Sequence, residues 1–405
     1  MGLVLGVRST TSAPAQHALF SHTCDIICTK GLAEMAMVEH SMMLVMDDRL
    51  QWAQTLPASW YFDEALLQHE TQKLFHRTWQ LVAKTSDVPV PGSFFTTELV
   101  GEPLLITRDS AGGLHGFYNV CRHRAGPVAV GCGTRKALQC AYHGWIYGLD
   151  GHLMSAREMD GTENFDHADF GLVPVQIAQW GPLIFVNLDR QAPPFEQVFG
   201  AVMTEVQEQG FDLSRMATVE RRDYDIACNW KVYVDNYLEG YHIPIVHPGL
   251  FQELDYDQYE VVTYAQYSKQ FAPVRPTTAQ SAADRRYGRY VDDGQADADA
   301  QALYYWIFPN LMLNIYPDNI STNVILPRGV GRTLTIFEWF ANPEASAEDM
   351  KQTIDFSEEI QQEDIFICEA VQKGLASQSY DRGRYSAKRE NGVHHFHMLL
   401  AKALR

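Results

Sequence analysis

The sequence predicts an α+β chain, with a small all-β domain followed by a larger domain of antiparallel sheet with helices on it. Three observations carry this. Between Trp79 and about Asp189, short runs rich in β-branched and aromatic residues alternate with Pro, Gly and Asp turns. Beyond residue 300, four longer strand-like runs follow one another. Stretches with helical character accompany them, one starting near Asn229 and a long one from about Ser346 to Leu375.

Taken in order, residues 1–46 are rich in Met, Ala, Ser and His and show no sustained period. They fit neither a secretory signal nor an Arg-rich, acid-poor transit peptide. They are read as a disordered extension, with Met43 or Met46 as an alternative start. Residues 47–78 are read as a helical segment that packs on the larger domain, because Leu66, Leu67, His69, Leu74 and Phe75 cluster toward one face. Residues 79–190 form the all-β domain, with strands in "WQLVAK", "SFFTTELV", "PLLITRD", "LHGFYNV" and "PLIFVNLD" and hairpin turns in "DSAGG" and "LDGH". Residues 191–405 form the larger domain. It opens with a Pro-Pro connector and a helix, and "ATVERRDYDIAC" is strand-like. The strands "LYYWIF", "LMLNIYP", "STNVILP" and "RTLTIFEWF" precede the last long helix. Residues 276–300, polar and rich in small residues, are read as a mobile loop over a site.

Bulk properties narrow the function. The 405 residues suffice for two or three domains, and 46% hydrophobic with 20% charged content is ordinary for a soluble enzyme. No apolar run approaches the ~18 residues of a membrane span. A formal net charge of −18 argues against a nucleic-acid binder and is compatible with a cationic substrate. Seven thinly spread cysteines do not make a secreted disulfide framework, so a reducing cytoplasm is expected.

"CRHRAGPVAVGCGTRKALQCAYHGW" gives Cys121-x-His123, then Cys140-x2-His143. Each half supplies one thiolate and one imidazole. A Rieske [2Fe–2S] cluster needs two thiolates on one iron and two imidazoles on the other. A zinc finger more often pairs its cysteines first and its histidines second. Cys132 is read as a small buried thiol, and Arg124 and Trp145 as packing beside the loops.

"NWKVYVDNYLEGYHIPIVHPG" holds a second constellation: Glu239, His242 and His247. Two histidines and a carboxylate can hold iron with positions left open. The five-residue step from His242 to His247 serves one metal only if the backbone bends or rewinds, which Pro244 and Pro248 favour. A third ligand is sought in "FSEEIQQEDIFICEAVQKGLAS", whose apolar face is read through Ile360, Phe366 or Ile367, Val371 and Leu375. Asp364 lies in this helix and would need an offsetting charge or metal if it faced the core. Glu363 and Glu369 stay open as alternatives.

From about residue 50 onward, these motifs, their order and their spacing resemble the catalytic alpha subunit of Rieske non-haem iron oxygenases. The quaternary-ammonium, choline monooxygenase-like branch is closer still, on "YHGWIYGLDGHL", "NWKVYVDNYLEGYHIPIVH", "NLMLNIYPDNISTNVILP" and "EAVQKGLASQSYDRGRYS" followed by "HHFHMLL". The resemblance implies a Rieske domain followed by a helix-grip catalytic domain. It implies that Cys121, His123, Cys140 and His143 hold the cluster, and that His242, His247 and Asp364 hold a mononuclear Fe(II). Glu239 would be an electron bridge between subunits, and Asp235 a supporting group. It further implies a homotrimer that draws electrons from NAD(P)H through a separate reductase, alone or with a ferredoxin. One oxygen atom of O2 would enter a C–H bond of choline, a betaine or carnitine. An aromatic ring-hydroxylating dioxygenase subunit is the competing reading.

A quaternary ammonium has no N–H to donate, so aromatic faces must recognise it. Strand alternation places Phe337 with Trp339, and Asn314 with Tyr316. Tyr305, Tyr316, Phe337 and Trp339 are the candidate substrate residues, although such stripes are usually core. "VHHFH" has no carboxylate or Cys partner in view and is not read as a further metal site.

Overall fold

The computed structural model describes residues 46–208, 211–273, 301–316 and 319–405, without the side chains of residues 272, 301, 302 and 316. The expected extension up to residue 45 and the expected loop 276–300 lie outside the described residues. Among the described residues no helix is long and apolar enough to cross a membrane.

The first ten strands make three small antiparallel sheets. Strands β1 (Gln80–Lys84), β10 (Leu183–Asn187) and β9 (Gln176–Trp180) form one, in the order β1-β10-β9. A second runs β4-β3-β2-β5, from β2 (Ser93–Leu99), β3 (Glu102–Arg108), β4 (Leu114–Tyr118) and β5 (Cys132–Thr134). The third joins β6 (Leu138–Gln139), β7 (Ile146–Tyr147) and β8 (Leu153–Ser155). The turns expected at "DSAGG" and "LDGH" close β3 onto β4 and β7 onto β8, with positive φ at Gly112 and Gly151. Leu105, Phe117, Val128, Trp145 and Tyr147 share a core with Cys121 and Cys140. Cys132 departs from expectation: it lies exposed on β5, whose three residues all face solvent.

The larger sheet has seven antiparallel strands in the order β11-β17-β16-β15-β14-β13-β12. They are β11 (Ala217–Ile226), β12 (Glu260–Thr263), β13 (Tyr267–Pro273), β14 (Gln301–Ile307), β15 (Leu311–Tyr316), β16 (Asn319–Gly329) and β17 (Arg332–Ala341). Among the described residues, seven α-helices accompany the sheets: α1 (Glu64–Glu70), α2 (Phe195–Glu208), α3 (Trp230–Tyr237), α4 (Ile243–Val246), α5 (Pro248–Glu253), α6 (Ala347–Leu375) and α7 (Asn391–Ala403). The expected starts near Asn229 and Ser346 are N-caps: Asn229 accepts from Lys231 N–H and Ser346 from Asp349 N–H.

The inward face of α6 differs from the sequence reading. Phe366 is 75% exposed and Val371 44%, whereas Met350, Thr353, Ile354, Gln361, Cys368 and Gln372 are buried. Ile360 lines the cavity as part of the expected face, but Phe366 and Val371 do not turn inward, because polar groups share the inner face with Met350, Ile354 and Cys368 and blur its apolar period.

One charged contact ties α1 to α3. Lys231 Nζ lies 2.7 Å from Glu70 Oε1, both side chains essentially inaccessible, and Trp230 Nε1 donates to Glu70 Oε2 at 2.8 Å. Removing one partner strands a buried charge. Glu70→Ala should therefore cost about 3–5 kcal/mol in urea unfolding, and the double variant Glu70→Met, Lys231→Met should recover much of that loss.

Candidate functional site

The loop after β4 starts at Cys121, and the loop between β6 and β7 starts at Cys140. Both use one backbone frame. In each, the cysteine carbonyl accepts from the N–H four residues on, Ala125 or Gly144, at 3.0 Å. The cysteine N–H donates to the carbonyl five residues on, Gly126 at 2.8 Å or Trp145 at 2.9 Å. The fourth residue on has positive φ in both, 58° at Ala125 and 75° at Gly144.

These frames bring the rings of His123 and His143 to 4.5 Å between centroids. Cys121 and Cys140 are free, buried thiols, and burial raises the Cys140 thiol above its ordinary range. His123 Nδ1 is buried with no hydrogen-bond partner. A buried imidazole nitrogen with nothing to bond, beside two thiols and a second imidazole, fits a Rieske cluster. Trp145 stacks on His123 at 4.9 Å and 9°. Tyr147 accepts from Arg122 N–H at 3.0 Å, which leaves its own O–H to donate to Cys121 Sγ at 3.2 Å. Burial raises that phenol well above its usual range, so it stays a donor.

At the second constellation the chain rewinds as expected. α3 ends at Tyr237, and Gly240 then passes so close to Tyr259 that a Cβ would meet the ring at 2.7 Å. Helix resumes as α4 with Pro244 in its first turn, breaks at His247 (φ −118°, ψ 69°), and restarts at Pro248 as α5. The rings of His242 and His247 end 5.0 Å apart.

His242, His247 and Asp364 offer ligand atoms that all lie within 4.8 Å of one another. Each histidine has its other nitrogen on a carboxylate: His242 Nδ1 on Glu239 Oε1 at 2.6 Å, His247 Nδ1 on Glu363 Oε2 at 2.7 Å. Ionised carboxylates only accept, so both Nδ1 atoms carry protons and both Nε2 atoms keep lone pairs. His247 Nε2 faces Asp364 Oδ1 at 3.0 Å, and His242 Nε2 faces the same oxygen at 3.9 Å. Lone pairs so disposed require a cation among them. Without one, a proton stands in for it. Burial opposes the imidazolium of His247, yet Asp364 and Glu363 outweigh it and raise its pKa.

Glu239 thus stands behind His242, where it also accepts the N–H groups of Tyr241 and His242. Glu363 stands behind His247, and Glu369 accepts from Ala227 N–H. Asn236, which sequence reasoning missed, donates to Asp364 Oδ1 at 2.6 Å. Asp235 serves elsewhere, accepting from Tyr61 O–H at 2.7 Å and facing His397 Nε2 at 2.8 Å. His397 also bonds Tyr385, and His394 bonds the Asp47 carbonyl, so two of the three histidines in "VHHFH" are held by the fold.

His242, His247 and Asp364 border a cavity of about 140 Å³. Its sheet wall includes a row of cross-strand neighbours, Gln270, Tyr304, Asn314, Ser321 and Trp339, with Phe337 opposite Asn323 alongside. Phe337 and Trp339 therefore line the cavity as the sequence reading places them. Tyr305 does not: it is fully buried on the opposite face, and Tyr304 takes its place. Three adjacent aromatics cannot be assigned to faces without the pairing register, and a one-residue shift reverses every side chain. The side chain of Tyr316 lies outside the described residues.

Comparison with known proteins now separates the possible metal enzymes. Residues 78–166 match the Rieske [2Fe-2S] domain, and residues 213–405 match the ring hydroxylating alpha subunit (catalytic domain). Choline monooxygenase of Arabidopsis thaliana is 34% identical over 369 residues, covering 88% of this chain and 84% of that protein. The chain belongs to the Rieske ring-hydroxylating oxygenase family.

This Rieske oxygenase is therefore an oxidoreductase with a [2Fe–2S] domain and a catalytic domain for mononuclear iron. The carnitine monooxygenase oxygenase subunit of Escherichia coli (strain K12) is 30% identical over 88% of this chain and 95% of its own. The crystal structure of the quaternary ammonium Rieske monooxygenase CntA with L-carnitine superposes with a TM-score of 0.75 at 26% identity, covering 88% of this chain and 97% of that one.

Two outcomes follow from the local geometry. Glu363→Ala should weaken iron retention about 10–100-fold, read as iron content after dialysis against a weak chelator, with cluster absorbance unchanged. Tyr147→Phe should lower the cluster reduction potential by on the order of tens of millivolts, read by redox titration, because a hydrogen bond to the Cys121 sulfur is lost.

Proposed function

We propose that this chain is the oxygenase component of a monooxygenase for a small quaternary ammonium compound, in the class of choline, a betaine or carnitine. The observation that carries the reading is the cavity wall. The aromatic residues Phe337, Trp339, Phe356 and Tyr304 line the cavity beside His242, His247 and Asp364. No lysine or arginine is found among the described lining residues, while Glu239 and Asp364 are acids. A permanent cation without N–H donors suits aromatic faces and an acidic surround. The kinship with choline and carnitine monooxygenases supports the same class over an aromatic ring substrate.

In this reading Cys121, His123, Cys140 and His143 hold the [2Fe–2S] cluster, and His242, His247 and Asp364 hold Fe(II). The bound iron supplies activation of O2 for insertion of one oxygen atom into a substrate C–H bond. The protein's own part is to hold that geometry and to exclude water. Glu239 and Glu363 fix the imidazole orientations, and Asn236 fixes the Asp364 carboxylate.

Glu239 is also the electron bridge between subunits of a homotrimer, fed from NAD(P)H by a separate reductase or by ferredoxin plus reductase. The exposed apolar residues support such an assembly. Tyr241 is 58% and Ile245 85% exposed beside Glu239 and His242, and Tyr142 and Val130 are exposed on and beside the cluster loops. All five described cysteines are free, which suits the cytoplasm. The domain limits are residues 79–190 for the Rieske domain and 191–405 for the catalytic domain, with 47–78 packed on the latter.

Trimethylammonium compounds should raise the melting temperature of the iron-loaded protein. Stabilisation only by aromatic acids would overturn the substrate assignment. Glu239→Gln should keep all three irons per chain yet leave the reduced cluster long-lived, with little turnover. Normal reoxidation of the cluster with full turnover would overturn the bridge role of Glu239.

A further inference from the structure

Gln361 sits on α6 three residues before Asp364, is 1% exposed, and lines the same cavity. The buried Tyr233 donates its phenol proton to Gln361 Oε1. Burial and the nearby Asp364 charge raise that phenol well above its ordinary value, so the donor role is fixed. With Oε1 committed, the other end of the amide is Nε2, and it is buried with no hydrogen-bond partner. An unmet buried donor of this kind is costly, and it persists where a ligand completes it.

The wall opposite does not share the deficit. Asn314 donates to Ser321 and Asn323 and accepts from Tyr237. Among the described lining residues, Gln361 is the one with a buried, unpaired side-chain N–H, one helical turn from Asp364. A quaternary nitrogen has no lone pair to accept with. The acceptor must belong to the rest of the molecule.

We propose that Gln361 is a specificity-determining residue whose side-chain N–H donates to an alcohol or carboxylate oxygen of the quaternary ammonium substrate. The inference rests on the quaternary ammonium reading. It adds that the substrate must carry an oxygen acceptor, and that this end of it lies one turn from Asp364.

The test is calorimetric binding to the full-length, iron-loaded, unreduced protein. The probes are choline, glycine betaine and propyltrimethylammonium, the last replacing the choline hydroxyl with a methyl group. The wild type should prefer at least one oxygen-bearing cation over propyltrimethylammonium. Gln361→Met should weaken that cation roughly tenfold, the size expected for one lost hydrogen bond, and leave propyltrimethylammonium unchanged or tighter. Should the Met variant fold poorly or lose iron, Gln361→Leu paired with Tyr233→Phe serves: it removes the donor without leaving the phenol unpaired, and the affinity ratio is still read. An unchanged ratio, or equal losses for all three cations, would overturn the role of Gln361 while leaving the substrate class intact. A wild type that binds none of the three cations would overturn both.

Discussion

The catalytic centre depends on one constraint: an imidazole that turns one nitrogen toward a metal must have its other nitrogen held. Glu239 does this for His242 and Glu363 for His247. Asn236 adds a third restraint on the Asp364 carboxylate. Much of the surrounding backbone follows from these bonds. The chain must break between Tyr237 and Ile243 so that Glu239 can fold back on the N–H groups of Tyr241 and His242. It must break again at His247 so that this ring reaches across to α6. Gly240 is the residue that permits the first break, because the Tyr259 ring occupies the space of its Cβ.

The same constraint explains the unusual inner face of α6. Gln361 and Asp364 project from it toward the cavity, and Gln372 accepts from Asn229 N–H at the start of α3. A helix that spends its inner positions on polar contacts gains less from apolar burial. Its anchorage comes from paired contacts with α3, among them Tyr233 with Gln361 and Asn236 with Asp364. Behind α3, the buried Lys231 and Glu70 pair ties it in turn to α1. The site is therefore supported by a chain of specific bonds, which fixes geometry more narrowly than an oily interface would.

The strand runs, the helix starts at Asn229 and Ser346, and the two Cys/His loops were legible because caps, turns and ligand spacings are local patterns. What was not legible depended on partners far away in sequence. Tyr305 and Tyr304 cannot be told apart without knowing that Tyr304 pairs with Asn314. The inner face of α6 reads through Ile360, Phe366 or Ile367, Val371 and Leu375 because hydrophobic periodicity assumes an apolar interior. Asn236 and Gln361 carry no motif of their own; only α3 lying against α6 gives them meaning. Cys132 was expected inside because thiols usually are, but it falls on a short strand whose residues all face solvent.

The two clusters of candidate ligands are built in different ways, and the difference bears on how specificity can vary. The Rieske domain presents its four groups from two loops built on one hydrogen-bond frame, so each loop sets its own geometry. The catalytic centre gathers its groups from α3 to α6, while the sheet side of the cavity comes from β13 to β17 and α6 adds Thr353, Phe356, Ser357 and Ile360. Phe337, Trp339, Asn314 and Tyr304 can thus change without touching the bonds that orient His242 and His247. Gln361 is the exception, since it lies on the helix of Asp364 and is pinned by Tyr233 from α3. A substitution there disturbs the contact between α3 and α6 on which the Asp364 side chain depends, whereas the sheet residues stand apart from it.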